Sequence, residues 1–177
     1  FGLGGNPMNV SKAISVCMFG RMLAFGYPDA RRLAVQARMR MARSEIGPLS
    51  AVRRARIYVF SGTEDKTVVP GVVASAVDFY RALGVPERNI SFVDTLAAGH
   101  GFVSRSAEKA CSWNGAPYLV DCDYDQAGAI LQHLHGRLAA PSPKPQSVPA
   151  RFDQTSFMLR DREAGMAATG LAYVPPG

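Results

Sequence analysis

Asp65 and His100 stand out as the residues whose types and surroundings most directly allow chemistry. Asp65 lies in Ser61-Gly62-Thr63-Glu64-Asp65-Lys66-Thr67-Val68, and His100 in Ala98-Gly99-His100-Gly101-Phe102. Each stretch follows a short apolar run, Ile57-Tyr58-Val59-Phe60 in one case and Ile90-Ser91-Phe92-Val93 in the other. Such runs, rich in β-branched and aromatic residues, read as buried strands. A helical pattern lies between them. In open α/β sheets the working groups sit on loops at the carboxyl ends of the strands. The order strand, Asp loop, helix, strand, His loop therefore predicts a carboxylate and an imidazole held side by side. That pair supplies acid–base chemistry to a serine nucleophile: the carboxylate fixes the imidazole tautomer, and the imidazole takes the hydroxyl proton.

Two other acids compete with Asp65. Asp78 falls on the outer face of the helical pattern, and Asp94 precedes the histidine loop by only a few residues. The flanking glycines Gly99 and Gly101 give His100 a tight turn and a close approach for substrate. No Gly-x-Ser-x-Gly pentad, the usual setting of a nucleophile on an α/β sheet, occurs in the 177 residues. The chain opens at Phe1 without a start methionine and closes at Pro175-Pro176-Gly177. It is read as an internal piece of a longer protein that carries the nucleophile elsewhere, with residues 1–177 a single catalytic domain incomplete at both ends.

Other candidates have plainer explanations. His133 and His135 are two apart on a helix and point to different faces, which makes a poor metal pair. Asp121, Asp123 and Asp125 imitate the start of a calcium loop, but Gln126 and Gln132 stand where Gly and Glu are needed. Those acids suit the N-terminus of the following helix instead. Gly2-Leu3-Gly4-Gly5 lacks the Gly-Lys-Ser/Thr ending of a phosphate loop. No metal site and no cofactor is read from the sequence. Trp113 either lines an apolar substrate cleft or packs on a disulfide. Cys111 and Cys122 flank a short loop that could be bridged, which would suit an oxidising compartment. Cys17 is then a buried free thiol or pairs outside this piece.

Charge is unevenly distributed. The formal net charge is +6. Nine arginines between Arg21 and Arg56, against Asp29 and Glu45, make that segment net +7, and the remainder −1. Arginine outnumbers lysine sixteen to four, favouring forked contacts to carboxylates. Arg32, Arg38 and Arg43 are either a solvated helix face or a binding surface for an acidic polymer. Aromatic residues do not interleave with them, so no nucleic-acid role is expected. No apolar run approaches the roughly 18–20 residues of a membrane span.

The elements that must position these groups are as follows. A helix is predicted from N-cap Asp29 to about Ser44, burying Leu33, Ala37 and Met41. After strand Ile57–Phe60, a helix runs from Pro70 to Leu83, with proline at its start. Strand Ile90–Val93 follows, then the long loop with His100 and the cysteines. A helix from about Tyr124 to Leu138 should bury Ala127, Ile130, Leu131, Leu134 and Leu138. Residues 139–149 read as a Pro-rich connector. Phe152–Met158 is strand or loop, and Leu171–Val174 a strand.

Several segments together resemble a known family. These are Ser61-Gly62-Thr63-x-Asp65-x-Thr67-Val68, Ala98-Gly99-His100-x-Phe102, Pro117-Tyr118-Leu119-x-x-Cys122-x-Tyr124-Asp125-Gln126-Ala127-Gly128, Phe152-Asp153-Gln154 and Gly165-Met166-x-x-x-Gly170-x-x-Tyr173-Val174-Pro175. Their order is similar to that of secreted poly(3-hydroxybutyrate) depolymerases with one α/β-hydrolase domain. The resemblance implies a circularly permuted α/β-hydrolase fold, of which this chain covers the central, Asp- and His-bearing part. It implies Asp65 and His100 as triad acid and base, and Cys111–Cys122 as a disulfide. The nucleophilic serine is expected shortly before Phe1 and an oxyanion-hole segment just after Gly177. It further implies secretion, or a bacterial periplasm, and a polyester substrate. One departure is that the family's Gly-Gly-Pro-Tyr-x-Cys pattern is replaced by Gly4-Gly5-Asn6-Pro7-Met8-Asn9, leaving Cys17 without its expected partner. Poly(aspartic acid) hydrolases are similar in fold, and an arginine-rich surface would suit their polyanion. A catalytically dead binding or scaffold fragment is the third reading.

Overall fold

The computed structural model describes residues 27–140, 147–157 and 167–174. Cys17, the glycines of residues 2–5, the centre of the Pro-rich stretch and Gly165-Met166 lie outside the described residues. The chain divides into two compact units, Phe1–Leu138 and Ala139–Gly177. The boundary falls at the start of the Pro-rich stretch.

The first unit is α/β. Helix α1 (Ala30–Ala42) starts at Asp29, whose side chain accepts from the Arg32 N–H and so satisfies one open helix donor. Short α2 (Leu49–Arg54) follows Pro48. Strand β1 (Ile57–Phe60) pairs in parallel with β2 (Ile90–Val93), with Ile57 opposite Ile90 and Phe60 opposite Val93. Helix α3 (Pro70–Leu83) crosses between them. Its bounds match the sequence reading because both ends carry strong signals. Pro70 opens it, and Gly84 closes it at φ +91°, a left-handed conformation that other residues rarely adopt. A single 3₁₀ turn (Glu87–Asn89) leads into β2.

Beyond His100 the chain forms three short parallel strands: β3 (Phe102–Ser104), β4 (Lys109–Ala110) and β5 (Leu119–Asp121), with β5 in the middle. Helix α4 (Gln126–His135) ends the unit. Among the described residues of the second unit, β6 (Ala150–Asp153) pairs antiparallel with β7 (Thr169–Ala172), and a 3₁₀ turn covers Thr155–Phe157. A Cβ on Gly170 would stand 2.4 Å from the Phe152 ring, so the glycine makes room for that aromatic.

Two buried clusters pack the described residues of the first unit. Ala34, Leu49 and Leu83 pack α1 and α2 onto the end of α3, with Phe79 and Ala82 beside them. Ala98, Val103 and Val120 form the second, supported by Phe60, Leu96, Tyr124 and the two half-cystines. This second cluster lies directly under the histidine loop.

The structure corrects parts of the sequence reading. Along α1 the stripe turns on Ala34, which is fully buried, while Met41 is exposed. A small residue is selected there by close helix packing, and hydrophobicity alone does not reveal it. Helix α4 begins two residues later than expected and stops at Gly136. Leu131, Leu134 and Leu138 are exposed, and Gln126 is the buried residue. Its Oε1 accepts the Val103 N–H at 2.7 Å, so a polar side chain fastens α4 to β3. Of the three neighbouring acids only Asp125 caps α4, by accepting from Gly128 N–H; Asp121 accepts instead from Asp123 N–H.

Candidate active site

Past their paired ends, β1 and β2 continue as two loops joined backbone to backbone. Ser61 N–H donates to the Val93 carbonyl, Thr63 N–H to Leu96 and Glu64 N–H to Ala98, at 2.8–3.1 Å. Gly62 permits this. A Cβ there would lie 2.0 Å from the Ala98 carbonyl oxygen, so only glycine lets the backbones come this close. The Asp65 and His100 loops are thus held together before either side chain is considered.

Asp65 is locked from both sides. Its Oδ1 accepts the Thr67 and Val68 N–H groups, each at 2.8 Å. Its Oδ2 meets His100 Nδ1 at 3.0 Å. A carboxylate only accepts, so the ring nitrogen facing it carries the proton. Nε2 is left as the acceptor. The Asp65 side chain is 12% exposed and that of His100 36%, so the acid is shielded while the base opens to solvent. The rivals behave as surface acids: Asp78 pairs with Arg81 at 3.1 Å, and Asp94 is exposed.

The wall beside His100 is the loop between Cys111 and Cys122, which form a disulfide with Cα atoms 4.7 Å apart. Gly99 N–H donates to the Cys111 carbonyl at 2.7 Å, tying this loop to the histidine loop. Trp113 stands on it half exposed, its indole N–H donating to the Ala116 carbonyl at 3.1 Å. Lys109 Nζ lies 5.2 Å from the indole centroid, a cation–π approach. Tyr118, which the sequence reading did not single out, packs edge to face on His100 with centroids 5.9 Å apart. Its position between the cysteines, next to Pro117, was the available signal.

The three arginines named from sequence are exposed side chains of α1 and its C-cap. Arg38 donates to the Ala82 carbonyl and Arg43 pairs with Glu45 at 3.9 Å, while Arg32 is exposed. Arg53 donates to Leu83 O, and Arg56 to His133 O near the end of α4. Arg38, Arg53 and Arg56 thus serve open helix carbonyls, where positive charge is favoured. Ala82 and Leu83 end the 14-residue α3, whereas Asp65 precedes its start. Arg38 and Arg53 are therefore about a helix length, roughly 20 Å, from Asp65.

His133 and the tyrosines are structural as well. His133 Nε2 lies 3.0 Å from the Asn89 carbonyl oxygen. Tyr58 and Tyr124 share a hydrogen bond at 3.1 Å. Burial, and then that bond, raises the Tyr58 pKa well above its ordinary value, keeping the hydroxyl neutral. Among the described residues no cluster of His, Cys, Asp and Glu could hold a metal ion. No helix among them is long and apolar enough to cross a membrane.

Comparison with known proteins identifies the relatives. The chain is 34% identical to a poly(3-hydroxybutyrate) depolymerase of Delftia acidovorans over 177 residues, covering 98% of this chain and 35% of that protein. This chain is a homologue of the poly(3-hydroxybutyrate) depolymerases. A polyhydroxybutyrate depolymerase of Talaromyces funiculosus is 30% identical over 140 residues, covering 75% of this chain and 39% of that one. The crystal structure of PHB depolymerase from Penicillium funiculosum is similar at a TM-score of 0.73 and 28% identity, over 91% of this chain and 49% of that one. A PHB depolymerase complexed with an R3HB trimer is similar at 0.72 and 27%, over 89% and 48%. No family model matches the chain. It spans about a third of the length of its curated relatives and about half that of the solved ones.

Proposed function

We propose that this chain is the acid- and base-bearing part of a secreted serine hydrolase that depolymerises poly(3-hydroxybutyrate). The observation that carries the reading is the 3.0 Å bond between Asp65 Oδ2 and His100 Nδ1, at the carboxyl ends of adjacent parallel strands. Similarity to PHB depolymerase structures supports an α/β-hydrolase fold; on this reading the fold is circularly permuted, with the serine nucleophile and the oxyanion hole outside residues 1–177. In this mechanism His100 Nε2 takes the serine proton as Oγ adds to the ester carbonyl. It returns that proton to the departing hydroxyl oxygen, leaving an acyl-enzyme. A water, deprotonated by the same nitrogen, adds to the acyl carbon; the acyl–Oγ bond then breaks, and the nitrogen hands its proton to the serine Oγ as the acid product leaves. Asp65 holds the ring in position and stabilises its charged form throughout.

The disulfide and the half-exposed Trp113 and Tyr118 suit this reading. A bridged loop fits an oxidising compartment, and exposed aromatic side chains fit a neutral, apolar polymer. The arginine segment supports an acidic polymer less well, because Arg38, Arg43, Arg53 and Arg56 already have partners within the protein. The test is to incubate the whole protein with polyhydroxybutyrate suspensions and with poly(aspartate), and to identify products by mass spectrometry. Release of hydroxybutyrate oligomers, abolished by His100→Ala, is expected. Release of aspartate oligomers alone, or no hydrolysis of either polymer, would overturn the reading.

A further inference from the structure

We propose that Asn114 is a positioning residue for the Asp65–His100 pair. Its side-chain amide uses its full hydrogen-bonding capacity between three loops. Oδ1 accepts the Lys66 N–H at 3.0 Å and the His100 N–H at 3.1 Å. Nδ2 donates to the Glu64 and Ser112 carbonyls, both at 3.0 Å. Two N–H groups thus face the oxygen and two carbonyls face the nitrogen, so only one amide orientation fits.

The placement matters more than the number of bonds. Among the described residues the direct backbone ladder between the two loops ends at Glu64 and Ala98. Asp65 and His100 lie just beyond it. Asn114 takes over there: the residue after Asp65 and His100 itself donate to the same oxygen atom. Gly99 is what admits the clamp, since a Cβ there would lie 2.1 Å from the Trp113 carbonyl oxygen and 2.7 Å from Asn114 Nδ2. The disulfide at Cys111 and Cys122 closes the loop that carries Asn114. None of the four bonds reaches the carboxylate or the imidazole ring, so Asn114 acts through the position of both.

This inference rests on the hydrolase reading, and its test separates the two. In the whole protein, Asn114→Ala is measured alone and in an Asp65→Asn background, with a hydroxybutyrate oligomer as substrate. A misplaced pair should lower kcat about 10–100-fold, with KM within about twofold. Once Asp65→Asn has broken the pair, the same change should cost less than about threefold. Equal losses in both backgrounds, a change in KM alone, or full activity would overturn the role. If Asn114→Ala shows no cooperative melting transition, Asn114→Asp decides by the same cycle. It keeps the accepting oxygen and loses the two donations, so about tenfold is expected alone and less than about threefold with Asp65→Asn. An active His100→Ala variant would sink the hydrolase reading. An inactive one beside fully active Asn114 variants would sink only the role of Asn114.

Discussion

The loops after β1 and β2 and the arginine-bearing α1–α2 segment both drew notice in the sequence, and folding treats them differently. In the loops, two residues 35 apart in the chain finish 3.0 Å apart. In the densely positive α1–α2 segment, Arg38 and Arg53 donate to carbonyls at the end of α3, and Arg40 and Arg43 pair with one glutamate. Parallel strands explain the first outcome, since adjacent strands must deliver their following loops to the same edge. Helix ends explain the second, because each leaves carbonyls without internal partners. Position in the fold therefore says more about chemistry than local charge density does.

Four changes break or sharpen that contrast. Asp65→Asn should have the largest effect, lowering kcat/KM of the whole protein about 10⁴-fold without unfolding it, because an amide can hold the imidazole in the wrong tautomer. Steady-state kinetics and a melting curve check both halves. Replacing both half-cystines by serine opens a loop with a sequence separation of 11 and should cost about 2–3 kcal/mol, read as a lower midpoint in denaturant. Gly62→Ala drives a methyl group into the Ala98 carbonyl and should destabilise by about 1–3 kcal/mol. It should also depress kcat, because the two loops must part. Arg38→Gln should matter least, with about 0.5–1 kcal/mol of stability lost. Its KM should stay within about twofold at low salt. A large rise in KM there would restore the arginines as a substrate surface.

Much of the frame was legible from residues alone. Pro70 and Gly84 bound α3, and the apolar runs at 57–60 and 90–93 matched β1 and β2 residue for residue. The Asp65–His100 pairing followed from their order along the chain. Residues whose work is defined by neighbours distant in sequence were not legible. Asn114 is an ordinary loop asparagine until three loops converge on it, and Gln126 is an unremarkable helix residue until β3 presents an N–H to it. The partners of Arg38 and Arg53 were illegible for a related reason: a carbonyl at a helix end carries no mark in the sequence. The exposed leucines of α4 show the limit of periodicity, which predicts an apolar face without saying what covers it.

The central claim is that Asp65 and His100 act as one catalytic unit. The most direct test is a kinetic cycle on the whole protein, comparing Asp65→Asn, His100→Ala and the double variant on a hydroxybutyrate oligomer. His100→Ala alone should lower kcat by about 10⁴–10⁶. Adding Asp65→Asn should then cost no more than about threefold, because the carboxylate has no imidazole left to orient. Losses that multiply, or a His100→Ala protein that turns over near the normal rate, would contradict the account.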